Sequence, residues 1–101
     1  MFSFIENLIS KEELNYSELL DRGVLIIDVR TPQEFAQESA EGSFNIPLSE
    51  IMNNIKEIKQ QNKPVITCCR SGARSGNAAA TLRRTNIEVY NGGSWNQVQN
   101  A

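Results

Sequence analysis

The chain contains no histidine, and this absence narrows the chemistry that it can perform. Histidine is the usual base in Cys–His and Ser–His–Asp catalysis, so those arrangements are excluded. Most zinc sites also need histidine, and the only cysteines, Cys68 and Cys69, are adjacent, which is the wrong spacing for a metal cage. We therefore expect any catalysis to rely on another kind of activated side chain.

Cysteine is scarce as well, and the positions of the two cysteines indicate which cellular compartment to expect. Two adjacent cysteines do not make a disulfide scaffold, and a bond between them would close a small strained ring. This usage fits the reducing cytosol, so we expect a cytoplasmic protein. Glu6 interrupts the apolar residues at the start of the chain and no basic residue precedes them, so we expect no signal peptide. No apolar run is long enough to cross a bilayer, and we expect no membrane partner.

A strong excess of one charge is also missing. The 101 residues carry a formal net charge of −2 at pH 7, which gives no reason to expect nucleic acid as a partner. Hydrophobic residues make up 40% of the chain and charged residues 22%, ordinary values for one soluble domain with one core. We treat residues 1–101 as a single domain, expected to be a monomer, with residues 1–23 as an N-terminal scaffold region.

Several segments have the pattern of strands. The first is continuously apolar, typical of a strand buried on both faces of a parallel sheet. Pro47 keeps the second one short. Asn-Gly-Gly at residues 91–93 favours a turn after the last strand. The segments are residues 24–29, 43–47, 65–69 and 87–90.

Helix patterns separate these strands. Ser10 and Glu13 match a capping box for an N-terminal helix, and a shorter helix from Ser17 is the alternative. Thr31 and Pro32 suit the cap and the first position of a short helix.

The later helices complete the alternation. Ser49 is expected to cap a helix with a buried apolar stripe, and Ser75 to open one that ends near Arg84. Ser94 opens a last short helix or tail in which Trp95 packs into the core. The stripe after Ser49 consists of Ile51, Met52, Ile55 and Ile58. Strands that alternate with helices predict an α/β three-layer sandwich with a mostly parallel central sheet.

Charged residues follow the first long strand. Asp28 is polar near its end and must be paired or solvated. Arg30 and Glu34 are expected to form an ion pair that brackets the cap of the short helix. We interpret these side chains as structural.

Residues 65–75 carry the most information, because a strand there meets a helix through a loop of small and basic residues. Cys69 lies where the strand ends, facing the amino end of the helix, where free N–H groups and the macrodipole favour negative charge. Arg70 and Arg74 lie in the same loop, and this environment is expected to lower the pKa of the thiol. We infer a nucleophilic cysteine in an anion-binding loop.

The length of this loop distinguishes between the possible ligands, a single sulfur atom or a phosphate group. Cysteine phosphatases place five residues between cysteine and arginine, whereas Arg74 follows Cys69 with four residues between them, and Ser75 occupies the phosphatase arginine position. Gly72 permits the backbone angles that turn successive N–H groups inward. The tighter ring favours a single sulfur atom, and a phosphatase or arsenate reductase is the less favoured alternative.

These motifs resemble those of the rhodanese (thiosulfate sulfurtransferase) family, in its single-domain form. The loop after Cys69 is similar to the active-site loop of that family, and Gly92-Gly93 with Trp95 to its closing turn. The first two signatures of the family are matched by residues 25–30 and 42–48, and the resemblance covers about residues 24–95.

The resemblance implies a role for each matching residue. Cys69 would accept the outer sulfur of a donor as a persulfide, and Arg70 and Arg74 would attract an anionic donor. The donor would be thiosulfate or a persulfide and the acceptor cyanide, glutathione or thioredoxin, with no metal or organic cofactor. A non-catalytic binding or regulatory module of the same family stays open as the alternative. The implied substrate-binding residues, whose amides would stabilise the persulfide, are Arg70, Ser71, Gly72, Ala73, Arg74 and Ser75.

Some residues depart from this match or lie beside it. Ser39 and Glu41 stand where the family often has histidine and proline, and we interpret both as scaffold positions. Cys68 should point away from the loop centre as a small buried hydrophobe. A resolving thiol at Cys68 is the alternative.

Overall fold

Residues 16–100 are described in the computed structural model of the chain, and their strands form one sheet. The strands are β1 (Leu25–Asp28), β2 (Phe44–Asn45), β3 (Val65–Cys69) and β4 (Val89–Ser94). The helices are α1 (Tyr16–Arg22), α2 (Pro32–Gln37), α3 (Ile55–Gln60), α4 (Ala73–Arg83) and α5 (Trp95–Gln99). The strand order is β2-β1-β3-β4 and every neighbouring pair is parallel. The capping box predicted at Ser10 and Glu13 lies outside the described residues.

Helices cover both faces of this sheet. Ile58 of α3 and Leu82 of α4 belong to the larger buried cluster on one face. Leu19 of α1 and Val98 of α5 pack with Ile66 in a second cluster on the other face. The predicted three-layer α/β sandwich is therefore confirmed. Within the described residues, no helix has the length and apolar character that a membrane span requires.

The helix α2 begins as its sequence predicts. The Thr31 hydroxyl accepts a hydrogen bond from the Glu34 amide at 3.3 Å, and the Glu34 carboxylate accepts one from the Thr31 amide at 3.1 Å. Pro32 occupies the first turn, where its missing N–H costs nothing. Ser94 caps α5 in the same way, with Gln97 as its reciprocal partner.

The prediction of a single helix after Ser49 is wrong for the first half of that segment. Two short 3₁₀ turns, Leu48–Glu50 and Met52–Asn54, replace that part, and α3 begins only at Ile55. With about three residues per turn, a 3₁₀ segment presents different positions to the core than an α-helix does. Met52 is consequently 74% exposed and does not belong to the buried stripe.

The turn predicted at residues 91–93 is also wrong, because these residues lie inside β4. Gly92 is required by close packing: a Cβ there would lie 2.7 Å from the Cγ2 atoms of both Ile66 and Val98. Of the strand predicted at residues 87–90, only Val89 and Tyr90 belong to β4, which continues through the Asn-Gly-Gly segment.

Candidate active site

The loop between β3 and α4 places Cys69 at the carboxyl edge of the parallel sheet, facing the amino end of α4. Gly72 precedes α4 with a φ of 98°, a left-handed conformation that glycine adopts without a Cβ clash. This turn starts the helix at Ala73, so the predicted start at Ser75 is two residues late. The connection consists only of Arg70, Ser71 and Gly72.

Hydrogen-bond donors converge on the Cys69 sulfur. The Gly72 amide donates to Sγ at 3.0 Å and the Ser75 amide at 3.4 Å. The Ser75 hydroxyl lies 3.3 Å from the same atom. Such donors stabilise a sulfur anion more than a neutral thiol.

The electrostatics of Cys69 follow from this geometry. Burial raises the pKa of the thiol, but hydrogen bonds from the Ser75 hydroxyl and amide and from the Gly72 and Ser71 amides outweigh it, so the pKa is lower than usual. Cys69 is 0% exposed, whereas Arg70 and Ser71 beside it are exposed. The sulfur is therefore covered by the protein, and the exposed residues Arg70 and Ser71 follow it directly in the sequence.

Cys68 has the opposite environment. Successive residues of a strand point to opposite faces, and Cys68 packs in the cluster with Ile66 while Cys69 faces the cluster with Leu82. Burial, followed by the nearby charge of Asp28, raises the pKa of Cys68 to about 12. Both cysteines are free thiols, and Cys68 is the buried hydrophobe that the sequence predicts.

The two loop arginines differ in their partners. The Arg74 guanidinium pairs with the Glu34 carboxylate of α2 through contacts of 2.9 and 3.2 Å. This hydrogen bonding lowers the pKa of Glu34 to about 2 and raises that of Arg74. Arg70 is exposed and has no side-chain partner among the described residues.

The ion pair predicted between Arg30 and Glu34 is wrong, because Arg30 pairs with Asp28 instead. Arg30 Nε lies 3.0 Å from both Asp28 carboxylate oxygens, and Nη2 lies 2.8 Å from Oδ2. Nη2 also donates to the Glu38 carbonyl at 2.6 Å, and the guanidinium carbon lies 5.3 Å from the centroid of the half-buried Trp95 ring. This buried pair supports the end of β1, beside the loop of Cys69.

Asn91 of β4 is a site residue that sequence reasoning missed. Its Nδ2 donates to the Gly72 carbonyl at 3.1 Å, and its Oδ1 accepts from the Ser75 hydroxyl at 2.7 Å and from the Gly93 amide at 3.0 Å. The Ser75 hydroxyl therefore lies within hydrogen-bond distance of both Asn91 Oδ1 and the Cys69 sulfur. The sequence did not indicate this role of Asn91, because an Asn-Gly-Gly segment is also typical of a turn.

Other features of the described residues lie away from this loop. No group of three or more His, Cys, Asp or Glu side chains between residues 16 and 100 is placed to bind a metal ion. One cavity of about 370 Å³ is lined by residues such as Arg22 and Glu88, and another of about 270 Å³ by residues such as Phe44 and Ile46. Cys69 lines neither of them.

The fold and the site together define an α/β domain with a thiol of lowered pKa at the carboxyl edge of its parallel sheet. The sequence profile of the rhodanese-like domain matches residues 13–101, and the chain belongs to this family. The resemblance inferred from the sequence motifs is thereby confirmed.

Individual relatives agree with this assignment. The chain is 44% identical over 71 residues to the uncharacterized protein YqhL of Bacillus subtilis, covering 69% of this chain and 56% of that protein. It is 39% identical over 57 residues to the thiosulfate sulfurtransferase PspE of Escherichia coli, covering 55% of each. The solved structure of a rhodanese with anions from E. coli has a TM-score of 0.67 at 32% identity, over 74% of this chain and 91% of that one. The chain spans little more than half the length of these two curated relatives.

Proposed function

We propose that the chain is a sulfurtransferase, which moves sulfane sulfur from an anionic donor to a thiophilic acceptor through a persulfide on Cys69. The observation that carries the proposal is the convergence of the Gly72 and Ser75 amides on Cys69 Sγ, at 3.0 and 3.4 Å. Its family membership and its similarity to a named thiosulfate sulfurtransferase support the same class of enzyme.

The reaction consists of two displacements at sulfur. The Cys69 thiolate attacks the outer sulfur of thiosulfate, the S–S bond of the donor breaks, and sulfite leaves with the bonding electrons. The persulfide anion on Cys69 is then attacked at its terminal sulfur by cyanide or by a thiolate such as that of glutathione or thioredoxin. Thiocyanate or a new persulfide departs and the Cys69 thiolate is restored. Each nucleophile reacts as an anion, so a chain without histidine needs no general base.

The residues around Cys69 have distinct parts in this reaction. The amides of Gly72 and Ser75 stabilise the sulfur anion, and the main chain of Ser71 and Ala73 shapes the loop around it. A ring closed this tightly on a buried sulfur is suited to one added sulfur atom and offers less room for a phosphoryl group. This argument favours sulfur transfer over phosphatase or arsenate reductase chemistry.

Intact-mass measurement after treatment with a donor tests the site and the reaction together. Incubation with thiosulfate should add about 32 Da, one sulfur atom held as a persulfide, and cyanide should remove it. An aryl phosphate should show no turnover. The absence of any mass gain from thiosulfate and from glutathione persulfide would overturn the proposal in favour of a non-catalytic module.

The free cation at the loop should control donor affinity. Arg70→Ala is expected to raise the KM for thiosulfate about tenfold, because one charge-assisted contact contributes about 1.5 kcal/mol or more. Arg74→Ala should raise the KM less, since Glu34 already neutralises that guanidinium. Arg84→Ala, which removes an exposed cation just after the far end of α4, is the matched control. Steady-state kinetics at constant ionic strength decide between these outcomes, and equal KM values for Arg70→Ala and Arg84→Ala would contradict the assignment.

A further inference from the structure

A single side chain contacts two of the three residues whose amides act on the Cys69 sulfur. Gly72 and Ser75 are these two residues, and Asn91 binds the first through its carbonyl at 3.1 Å and the second through its hydroxyl at 2.7 Å. Gly72 is the N-cap of α4 and Ser75 lies in its first turn, so Asn91 joins both ends of this turn of backbone to β4.

The position of Asn91 is itself fixed by the sheet. Asn91 is paired with Thr67 in the register of β3 and β4, immediately before the irregularity that separates Thr67 from Cys69. The Gly93 amide donates to Oδ1 at 3.0 Å, which orients the side-chain amide so that Nδ2 faces Gly72. The Thr67 hydroxyl donates to the Ser75 carbonyl at 2.9 Å and so ties the first turn of α4 to β3.

We propose that Asn91 is a positioning residue that aligns the Gly72 and Ser75 donors with the Cys69 sulfur, a role that rests on the proposed sulfurtransferase function. Asn91 itself does not contact the sulfur within hydrogen-bond distance. It acts through Gly72 and Ser75, which do contact the sulfur, and it ties the segment after Cys69 to the sheet.

The titratable groups near Cys69 are separate from Asn91. The titratable neighbours of the thiol are Arg74 on α4, which is paired with Glu34 of α2, and Cys68 on β3. None of them contacts Asn91 through a hydrogen bond. A substitution at Asn91 therefore changes the alignment of neutral donors and leaves these charges in place.

The test is the pH dependence of iodoacetamide alkylation, measured with no sulfur donor present. Asn91→Ala should move the apparent pKa of Cys69 upward by about one unit, because two amide donors lose their alignment. The Ser75 hydroxyl, released from Asn91, can donate one hydrogen bond to the Cys69 sulfur, which replaces only part of the lost stabilisation of the thiolate. In sulfur transfer, kcat should fall while the KM for thiosulfate stays constant, because Arg70 is untouched. Asn77→Ala, on an exposed position of α4, is the matched control and should change neither quantity.

A neutral variant covers the case in which Asn91→Ala fails to fold. Asn91→Gln keeps an amide and adds no charge, but its extra methylene displaces the amide from Gly72 and Ser75, so it should also raise the pKa of Cys69. An alkylation profile unchanged from the wild type in a folded Asn91 variant overturns the positioning role, even if sulfur uptake is normal. Failure of the wild type to take up sulfur overturns the proposed function instead, and the alkylation profile still decides the role of Asn91.

Discussion

Cys69→Ser should reduce thiosulfate:cyanide sulfur transfer to the uncatalysed background, whereas Cys68→Ser should retain most of it. A serine hydroxyl at position 69 does not ionise at neutral pH and cannot form a persulfide, so the first displacement has no nucleophile. Cys68 lies on the other face of β3, and burial raises its pKa to about 12, so we expect its thiol to take no part in the proposed reaction. Steady-state assays of thiocyanate formation measure both variants.

The two substitutions form a matched pair, because each changes one sulfur to oxygen at neighbouring positions that are 0% exposed. A general loss of folding would affect both, and Cys68→Ser carries the larger risk, since its hydroxyl would enter an apolar cluster at a cost of about 1–3 kcal/mol. Thermal unfolding of both variants separates stability from activity, and Cys68→Ala avoids the buried hydroxyl. An equal loss of transfer in folded Cys68 and Cys69 variants would remove the assignment of Cys69.

The sequence was sufficient to predict the features that depend on neighbouring residues. The apolar runs that become β1 and β3 have no alternation, which is the pattern of strands covered on both sides. Cys69 could be placed at the amino end of a helix because small and basic residues interrupt its strand at once. The amides that converge on its sulfur come from residues at most six positions away.

The partners of the charged side chains could not be predicted in the same way. Arg74 binds Glu34, which is 40 positions away in the sequence, and the choice depends on how α2 and α4 meet above the sheet. Arg30 had a suitable carboxylate on either side, and the β1 geometry brings Asp28 closer than Glu34. Spacing alone identifies candidates for an ion pair, but only the packing of the elements selects one.

The residues that hold the site in place were harder to predict than its nucleophile, and Asn91 shows why. An Asn-Gly-Gly segment is typical of a turn, and nothing local distinguishes that use from a strand in which glycine admits close packing. The side chains of Ile66 and Val98 decide the matter, since they approach Gly92 more closely than a Cβ would allow. Asn91, the residue before Gly92, therefore contacts the Cys69 loop from a separate strand, β4. It lies 16 positions after Ser75 in the sequence.

Breaking the buried ion pair between Asp28 and Arg30 should cause the largest loss of stability in the described part of the chain. The side chains are 0% and 5% exposed, and Asp28→Asn would leave the Arg30 charge buried without its counterion. Removal of one partner from such a pair costs about 3–5 kcal/mol of unfolding free energy, a large share of the total for a domain of this size. Arg30→Met should cost a similar amount, and denaturant unfolding measures both.

The exposed pair of Arg22 and Glu88 provides the control, because its side chains are 47% and 41% exposed and water screens their attraction. Glu88→Gln should therefore leave the unfolding midpoint nearly unchanged. The double variant Asp28→Asn/Arg30→Met should be less destabilised than the sum of the single variants, since it leaves no uncompensated charge in the interior. Equal effects of Asp28→Asn and Glu88→Gln, or strict additivity in the double variant, would show that the buried pair does not stabilise the end of β1.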